Sequence, residues 1–113
     1  MTRIRVSYDR REDRRDRRYP LPPLTIVLAD AEYTTVNWSL GGFLLAGFTG
    51  RAAIGQKLTG TLRVHQGAKD IAFTATVVRT DEPGQIGVQF TDLTDEVVTM
   101  LDRAIARRFI RRN

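Results

Sequence analysis

Between residues 24 and 90 the apolar side chains recur at every second position, the spacing typical of β-strands that bury one face. Five segments follow this pattern, at 24–29, 33–39, 58–64, 71–77 and 86–90, and a further strand is predicted at 43–48, which is almost wholly apolar. In the second segment, alternation places Val36 and Trp38 on one face and Asn37 and Ser39 on the other. Turn-forming residues at 49–50, 66–69 and 81–84 separate the later segments. The pattern predicts a mainly β fold, a six-stranded antiparallel β-barrel that is closed or nearly closed.

The periodicity changes to that of a helix after residue 93. Thr94, followed by two acidic residues, is a typical helix N-cap. Apolar residues then recur at four-residue spacing and form one face: Val97, Leu101, Ile105 and Phe109. This pattern predicts a C-terminal α-helix over about 94–111 that packs on the barrel, with arginines on its opposite face.

Residues 1–18 are predicted to be a flexible N-terminal arm, and residues 19–113 the folded domain. Every position from 9 to 18 carries a charged side chain. The arm therefore lacks the apolar surface needed to offset an ordering entropy of about 1–2 kcal/mol per residue. Prolines at 20, 22 and 23 favour an extended entry into the first strand and oppose a helix across the junction.

The net charge of +5 in this 113-residue chain is unevenly distributed. Residues 1–18 carry eight arginines and four acids, residues 103–113 carry five arginines and no acid, and the segment between them is acidic. The distribution excludes a uniformly basic, histone-like protein. Because only two of the 18 basic residues are lysines, it favours paired hydrogen bonds to phosphate or guanine over diffuse attraction.

Several classes of protein are disfavoured by the residues that are absent. The chain has no cysteine and one histidine, His65, so disulfides are excluded and a metal site is not expected. No catalytic motif or nucleotide-binding glycine loop is present, so we expect neither an enzyme nor a bound cofactor. No apolar run is long enough to span a bilayer and no secretory signal precedes the arm, which together predict a cytoplasmic protein.

Polar residues at the end of the second strand are the remaining candidates for chemistry. Trp38 should be a core residue, while Asn37 and Ser39 should present an amide and a hydroxyl outward, within reach of one planar ligand. The following Gly41-Gly42 allows a sharp turn or the close approach of another backbone or a base. Taken alone, this segment is more typical of an ordinary polar strand face that leads into a glycine turn than of a ligand site.

Taken together, the arm and this strand end resemble the PilZ domains, a family of bacterial receptors for cyclic di-GMP. The arm sequence RRDRRYP at 14–20 is similar to the family's R-x-x-x-R motif, and NWSLGG at 37–42 is similar to its [D/N]-x-S-x-x-G motif. The segment QIGVQFTDL at 85–93 is similar to the family's last strand, which an amphipathic helix follows. The resemblance covers about 14–110 and implies the PilZ β-barrel and a cyclic di-GMP receptor.

The resemblance also implies which residues bind the ligand. Arg14 and Arg18 match the two arginines of the first motif, although the pairs Arg11–Arg15 and Arg10–Arg14 have the same spacing. The residues that match the second motif are Asn37, Ser39 and Gly42. Two arginines that neighbour the first-motif pair, Arg15 and Arg17, are possible additional contacts. Asp13 occupies a position where some relatives have a further arginine that helps hold a ligand dimer, so the number of bound ligand molecules stays open.

We therefore expect a stand-alone receptor in which cyclic di-GMP orders the arm against the barrel rim and so signals to a downstream protein partner. One alternative is a ligand-free PilZ-like adaptor that docks a protein. Another is a basic nucleic-acid-binding barrel. Two features disfavour this alternative: the body of the chain is acidic, and most aromatic residues occupy core positions rather than a stacking surface. The arginines of the C-terminal helix could contact an acidic partner or a membrane surface, or simply be solvated.

Overall fold

The computed structural model describes residues 17–65, 67–80 and 82–112, the segment 107–112 as backbone only. It contains six strands and one helix: β1 (Thr25–Leu28), β2 (Ala31–Ser39), β3 (Gly42–Leu45), β4 (Lys57–Arg63), β5 (Ile71–Arg79), β6 (Ile86–Phe90) and α1 (Asp95–Arg112). The predicted six-stranded antiparallel barrel and the C-terminal helix are confirmed. Residues 1–16 of the predicted flexible arm lie outside the described part of the chain, so the flexibility of the arm stays a prediction.

The strands close into a barrel in the order β1-β2-β3-β6-β5-β4. Two pairings between strands distant in sequence complete the circle. Ile26 of β1 lies opposite Leu62 of β4, and Phe43 of β3 lies opposite Val88 of β6. Because every strand has a neighbour on both sides, the barrel has no unpaired sheet edge.

Alternate residues of the strands fill the barrel interior, as the period of two predicts. The rings of Phe43, Phe73 and Phe90 pack edge to face, with centroids 5.4 to 5.9 Å apart. Such pairs add about 0.5–1.5 kcal/mol each to the burial of their surface. These three phenylalanines are buried, which confirms that they belong to the core rather than to a stacking surface.

Helix α1 covers part of the barrel with its apolar face. Its buried residues are Val97, Leu101, Ala104 and Ile105. The Thr94 hydroxyl accepts a hydrogen bond of 3.2 Å from the Val97 N–H, so Thr94 is the N-cap that the sequence predicts.

The alternation predicted for β2 is interrupted by a β-bulge. Thr35 lies opposite Leu45, but Asn37, two residues later, lies opposite the adjacent Leu44, so Val36 is the extra residue. Val36 is therefore 41% exposed, and the prediction that it shares the buried face of Trp38 is wrong. Thr35 is buried in its place, and its hydroxyl accepts a hydrogen bond of 2.9 Å from the Leu24 N–H.

Two connections also differ from the pattern. Strand β3 ends at Leu45 rather than continuing to 48, because the chain bends and Gly47 adopts a positive φ of 72°. Strands β1 and β2 are joined by a two-residue turn in which both Ala29 and Asp30 have positive φ. This is the backbone geometry of the tight hairpin turns that match strand twist, although no glycine marks it.

Replacing Thr35 with valine should destabilise the barrel, because the buried Leu24 N–H then loses its acceptor. We expect a loss of about 1–3 kcal/mol in the free energy of unfolding, measured by urea denaturation with circular dichroism. Thr34→Val is the matched control, since the neighbouring Thr34 is exposed, and it should change stability by less than about 0.5 kcal/mol. Equal effects at the two positions would contradict this account of the Thr35 hydroxyl.

Candidate ligand-binding site

The segment that precedes β1 pairs with the end of β2. Tyr19 donates its backbone N–H to the Trp38 carbonyl at 2.7 Å and accepts the Trp38 N–H at 3.0 Å. The two rings are 5.2 Å apart, and the Trp38 indole N–H donates to the Pro22 carbonyl at 2.7 Å. Both aromatic residues are buried, as predicted for Trp38. This pairing satisfies both backbone groups of Trp38 and fixes the last residues of the arm beside β2.

Arg18 and Asn37 are brought together by this pairing, although 19 positions separate them. The Arg18 Nη1 donates a hydrogen bond of 3.0 Å to the Asn37 Oδ1. Asn37 is half-buried on the outer face of β2, and Arg18 is exposed. A guanidinium has five N–H donors, so one bond to Asn37 leaves others that can bind an anion or a base edge. The resemblance implies that both residues bind one ligand, and the structure places them in direct contact.

The Ser39 side chain is not presented outward as the alternation predicts. Ser39 is only 4% exposed, and its hydroxyl accepts a hydrogen bond of 3.0 Å from the Gly41 N–H. Strand β2 ends at Ser39, and the chain reverses at once so that Ser39 pairs with Gly42 at the start of β3. The hydroxyl therefore stabilises the turn, and the outward polar face at this strand end consists of Asn37 without Ser39.

Gly42 is required by the approach of another strand. A Cβ atom at this position would collide with the carbonyl oxygen of Val88, which belongs to β6. Gly42 also pairs with Gln89 across the β3–β6 junction. The sequence offers a sharp turn, or the close approach of another backbone or a base, as explanations for the glycine. At Gly42 the explanation is the close approach of the β6 backbone.

Of the remaining arm arginines in the predicted site, the structure describes Arg17 alone. Arg14 and Arg15 lie outside the described residues. Arg17 is exposed at the beginning of the described chain. Their contribution to a ligand site, and the choice among the possible arginine pairs, therefore stay predictions.

Comparison with protein-family models identifies the fold family. The model of the PilZ domain matches residues 9–107. The chain belongs to the PilZ domain family. This match includes six of the eight arm arginines, all six strands and most of α1, so the resemblance based on the two motifs is confirmed.

Solved PilZ structures have the same fold at low sequence identity. The inhibitor of motility MotI/DgrA of Bacillus subtilis is 17% identical with a TM-score of 0.65, over 81% of this chain and 49% of that protein. YcgR of Escherichia coli, solved in complex with c-di-GMP, is 19% identical with a TM-score of 0.61, over 85% of this chain and 46% of that protein. The chain thus spans about half the length of these two proteins.

A third structure is similar over the whole of its own chain. The PilZ domain of CeSA from a cellulose-synthesizing bacterium is 15% identical with a TM-score of 0.55, over 82% of this chain and 99% of that domain. No match was found among curated protein sequences.

Another arginine of the PilZ barrel is held by acidic neighbours. Arg63, at the end of β4, donates from Nε to Asp70 at 2.7 Å, and its guanidinium lies 3.6 Å from Glu32 of β2. The hydrogen bond to Asp70 is the main reason that the pKa of Arg63 is raised above its usual value. Arg63 therefore serves to tie β4 to its neighbours.

A groove beside α1 lies away from the predicted motif residues. It is lined by Val64, His65 and Ile71 from the β4–β5 connection and by Met100 and Arg103 from the helix. Ile71 begins β5, whereas Asn37 lies at the level of Arg79, where β5 ends. Arg18 and Asn37 thus lie on the outer barrel wall, and this groove belongs to another part of the surface.

The described residues do not group three or more histidine, cysteine, aspartate or glutamate side chains in a way that could hold a metal ion. Within the same part of the chain, α1 is too polar to cross a membrane.

Replacing Gly42 with alanine should destabilise the domain, because the new methyl group meets a backbone carbonyl that cannot rotate away. We expect a loss of about 1–3 kcal/mol in the free energy of unfolding, measured by urea denaturation. Gly50→Ala is the control, because the nearest atoms to its Cβ would be the tip of the Phe48 ring, which can move. A Gly42→Ala protein as stable as Gly50→Ala would show that β3 and β6 are less closely paired than described here.

Proposed function

We propose that this PilZ domain is a receptor for cyclic di-GMP, which binds where the arginine arm meets the end of β2. The hydrogen bond between Arg18 and Asn37 is the observation that supports this most directly, because it places a guanidinium and an amide side by side on the outer barrel wall. Membership of the PilZ family supports the choice of ligand, as does the similarity to YcgR, which was solved with c-di-GMP.

The proposed contacts follow from the chemistry of the ligand. Cyclic di-GMP has two phosphodiester charges and two guanines, and arginine can form paired hydrogen bonds with either group. Arg14 and Arg18 bind the ligand from the arm, with Arg15 and Arg17 as further contacts. Asn37 bonds a guanine edge from the barrel. Ser39 and Gly42 act indirectly in this proposal, because they shape the turn that holds Asn37 in place.

The signal in this proposal is the ordering of the arm. Residues 10–18 carry the arginines that the ligand gathers against the barrel, so binding changes the shape and the charge of one side of the domain. Folding of a segment on binding lowers the affinity per contact but creates a new surface for a protein partner to recognise. The function is therefore binding and signalling rather than catalysis.

Calorimetric titration with cyclic di-GMP tests the site. Arg14→Ala and Arg18→Ala should each weaken binding by about 10- to 100-fold, because each removes hydrogen bonds made by a charged group. Asn37→Ala should weaken binding by about tenfold, because it removes hydrogen bonds between neutral groups at a guanine edge. Ser39→Ala should weaken binding together with a measurable loss of stability, since its hydroxyl supports the turn. Arg103→Ala is the charge-matched control on α1 and should bind as the wild type does.

Two outcomes would contradict the proposal. Wild-type protein that releases no heat with cyclic di-GMP, yet binds a protein partner, would favour the ligand-free adaptor. Tight binding of single- or double-stranded oligonucleotides at about 0.15 M salt would favour the nucleic-acid-binding barrel, because nonspecific contacts to phosphates weaken steeply as salt rises.

Ordering of the arm should be visible by nuclear magnetic resonance. With saturating cyclic di-GMP, the amide resonances of residues 10–18 and of Asn37 should shift, and the arm amides should gain protection from hydrogen exchange. The same experiment on Arg18→Ala is the control and should show smaller changes. Shifts confined to Asn37, with arm resonances unchanged, would support ligand binding but reject ordering of the arm as the signal.

A further inference from the structure

The groove beside α1 changes in character along its length. Near the start of the helix, the Lys69 Nζ lies 3.3 Å from the Glu96 carboxylate, so these two charges compensate each other. In the middle, Met100 lines the groove together with apolar residues of the β4–β5 connection. Arg103, the next helix residue that lines it, is exposed. The groove therefore has an apolar middle and a cationic end.

The last turns of α1 extend this cationic end. The backbone continues as a helix to Arg112, about 14 Å beyond Arg103. Arg107 and Arg111 follow Met100 by seven and eleven positions, which are close to two and three full turns. Both residues therefore continue the row of the helix that lines the groove. From residue 103 onward the chain carries five arginines and no acid.

Two further arginines occupy the helix rows that the barrel buries earlier in α1. Leu101 and Ile105 are buried against the barrel, and Arg108 and Arg112 follow them by seven positions each. A guanidinium that is buried against an apolar wall loses its hydration at a large cost in free energy. The sequence of the last two turns therefore suits an anionic partner better than it suits the barrel.

The helix dipole explains only part of this charge. Cations are favourable at the C-terminal end of a helix, but the effect is confined to about the last turn. Arg103 and Arg107 both precede the last turn of α1, which ends at Arg112. The dipole therefore does not account for the cations that adjoin the groove.

We propose that α1 and the groove beside it bind a membrane surface that carries anionic phospholipids. Guanidinium groups form forked hydrogen bonds with phosphate, and basic clusters of this size on a helix are typical of binding to anionic lipids. Phe109 and Ile110 lie among the arginines in the sequence. A helix that combines arginines with large apolar residues lies in the plane of the lipid headgroups rather than across the bilayer.

The apolar residues favour a lipid surface over the other anionic partners. Nucleic acid and acidic polypeptides match the arginines, but they leave Met100, Phe109 and Ile110 without an apolar partner. A lipid surface offers phosphate groups and, a few ångströms deeper, acyl chains, so it uses both kinds of residue. The proposal does not depend on cyclic di-GMP, since none of these residues belongs to the site proposed for that ligand.

Co-sedimentation of the full chain with phosphatidylcholine vesicles, with and without about one third phosphatidylglycerol, tests the proposal. Wild-type protein should bind the anionic vesicles and leave the neutral ones unbound. Arg107→Gln/Arg111→Gln should weaken binding by about 10- to 30-fold, because each arginine near an anionic surface contributes about fivefold. Glutamine keeps the helix propensity, and thermal denaturation verifies the fold. Arg3→Gln/Arg5→Gln removes the same charge from the other end of the chain and should bind nearly as the wild type does.

A fluorescent label tests whether α1 itself meets the lipid. Because the chain has no cysteine, Ala106→Cys provides a unique attachment site at an exposed position of the helix. A polarity-sensitive fluorophore there should shift its emission to shorter wavelength when anionic vesicles are added. Ala53→Cys, which is exposed in the β3–β4 connection, is the control, and its label should not respond. A response of the Ala53 label alone would place the contact at another surface and overturn the proposal.

Three further results would also overturn it. The first is a wild-type protein that does not bind anionic vesicles. The second is an equal loss of binding in the Arg3→Gln/Arg5→Gln protein, which would indicate attraction by total charge. The third is tighter binding to duplex DNA or polyglutamate than to the vesicles, lost in Arg107→Gln/Arg111→Gln, which would assign α1 to an acidic polymer. In every case, titration of Arg107→Gln/Arg111→Gln with cyclic di-GMP tests the proposed receptor function separately.

Discussion

The double hydrogen bond between the backbones of Tyr19 and Trp38 is the constraint on which the candidate site depends. It joins the chain entry to the strand that carries Asn37, and the buried contact between the two rings strengthens it. In this antiparallel pairing Arg18 and Asn37 are diagonal neighbours on the outward face, a separation that a long arginine side chain can span. The meeting of Arg18 and Asn37 is therefore a consequence of backbone pairing rather than of their weak mutual attraction at the surface.

The closed barrel gives this junction a rigid support. Its strands have no unpaired edge, and its interior is filled by aromatic and aliphatic side chains. A ligand that binds the outer wall therefore pays little for ordering the barrel, and most of the entropic cost falls on the arm. This division suits the proposed receptor, in which ligand binding would change the arginine-rich arm and leave the barrel that positions the ligand unchanged.

The residues of the second motif divide into a contact and a scaffold. Asn37 presents its amide on the outer wall, whereas the Ser39 hydroxyl is buried in the turn and Gly42 makes room for β6. A serine and a glycine at this spacing are therefore explained by the fold alone, without a ligand. In the proposed function, the chemistry that distinguishes a receptor from an inactive PilZ barrel is concentrated in the arm arginines and Asn37.

The local pattern of the sequence was sufficient to predict six strands, a terminal helix with Thr94 as its cap, and a buried Trp38. These features depend on periodicity and residue type within one element, or on motifs in a fixed order. The bulge at Val36, the burial of Ser39 and the contact between Arg18 and Asn37 were decided by tertiary structure. An extra residue in a strand depends on the register of its partner, and Arg18 meets Asn37 only because the chain entry pairs with β2, 19 positions further along the chain.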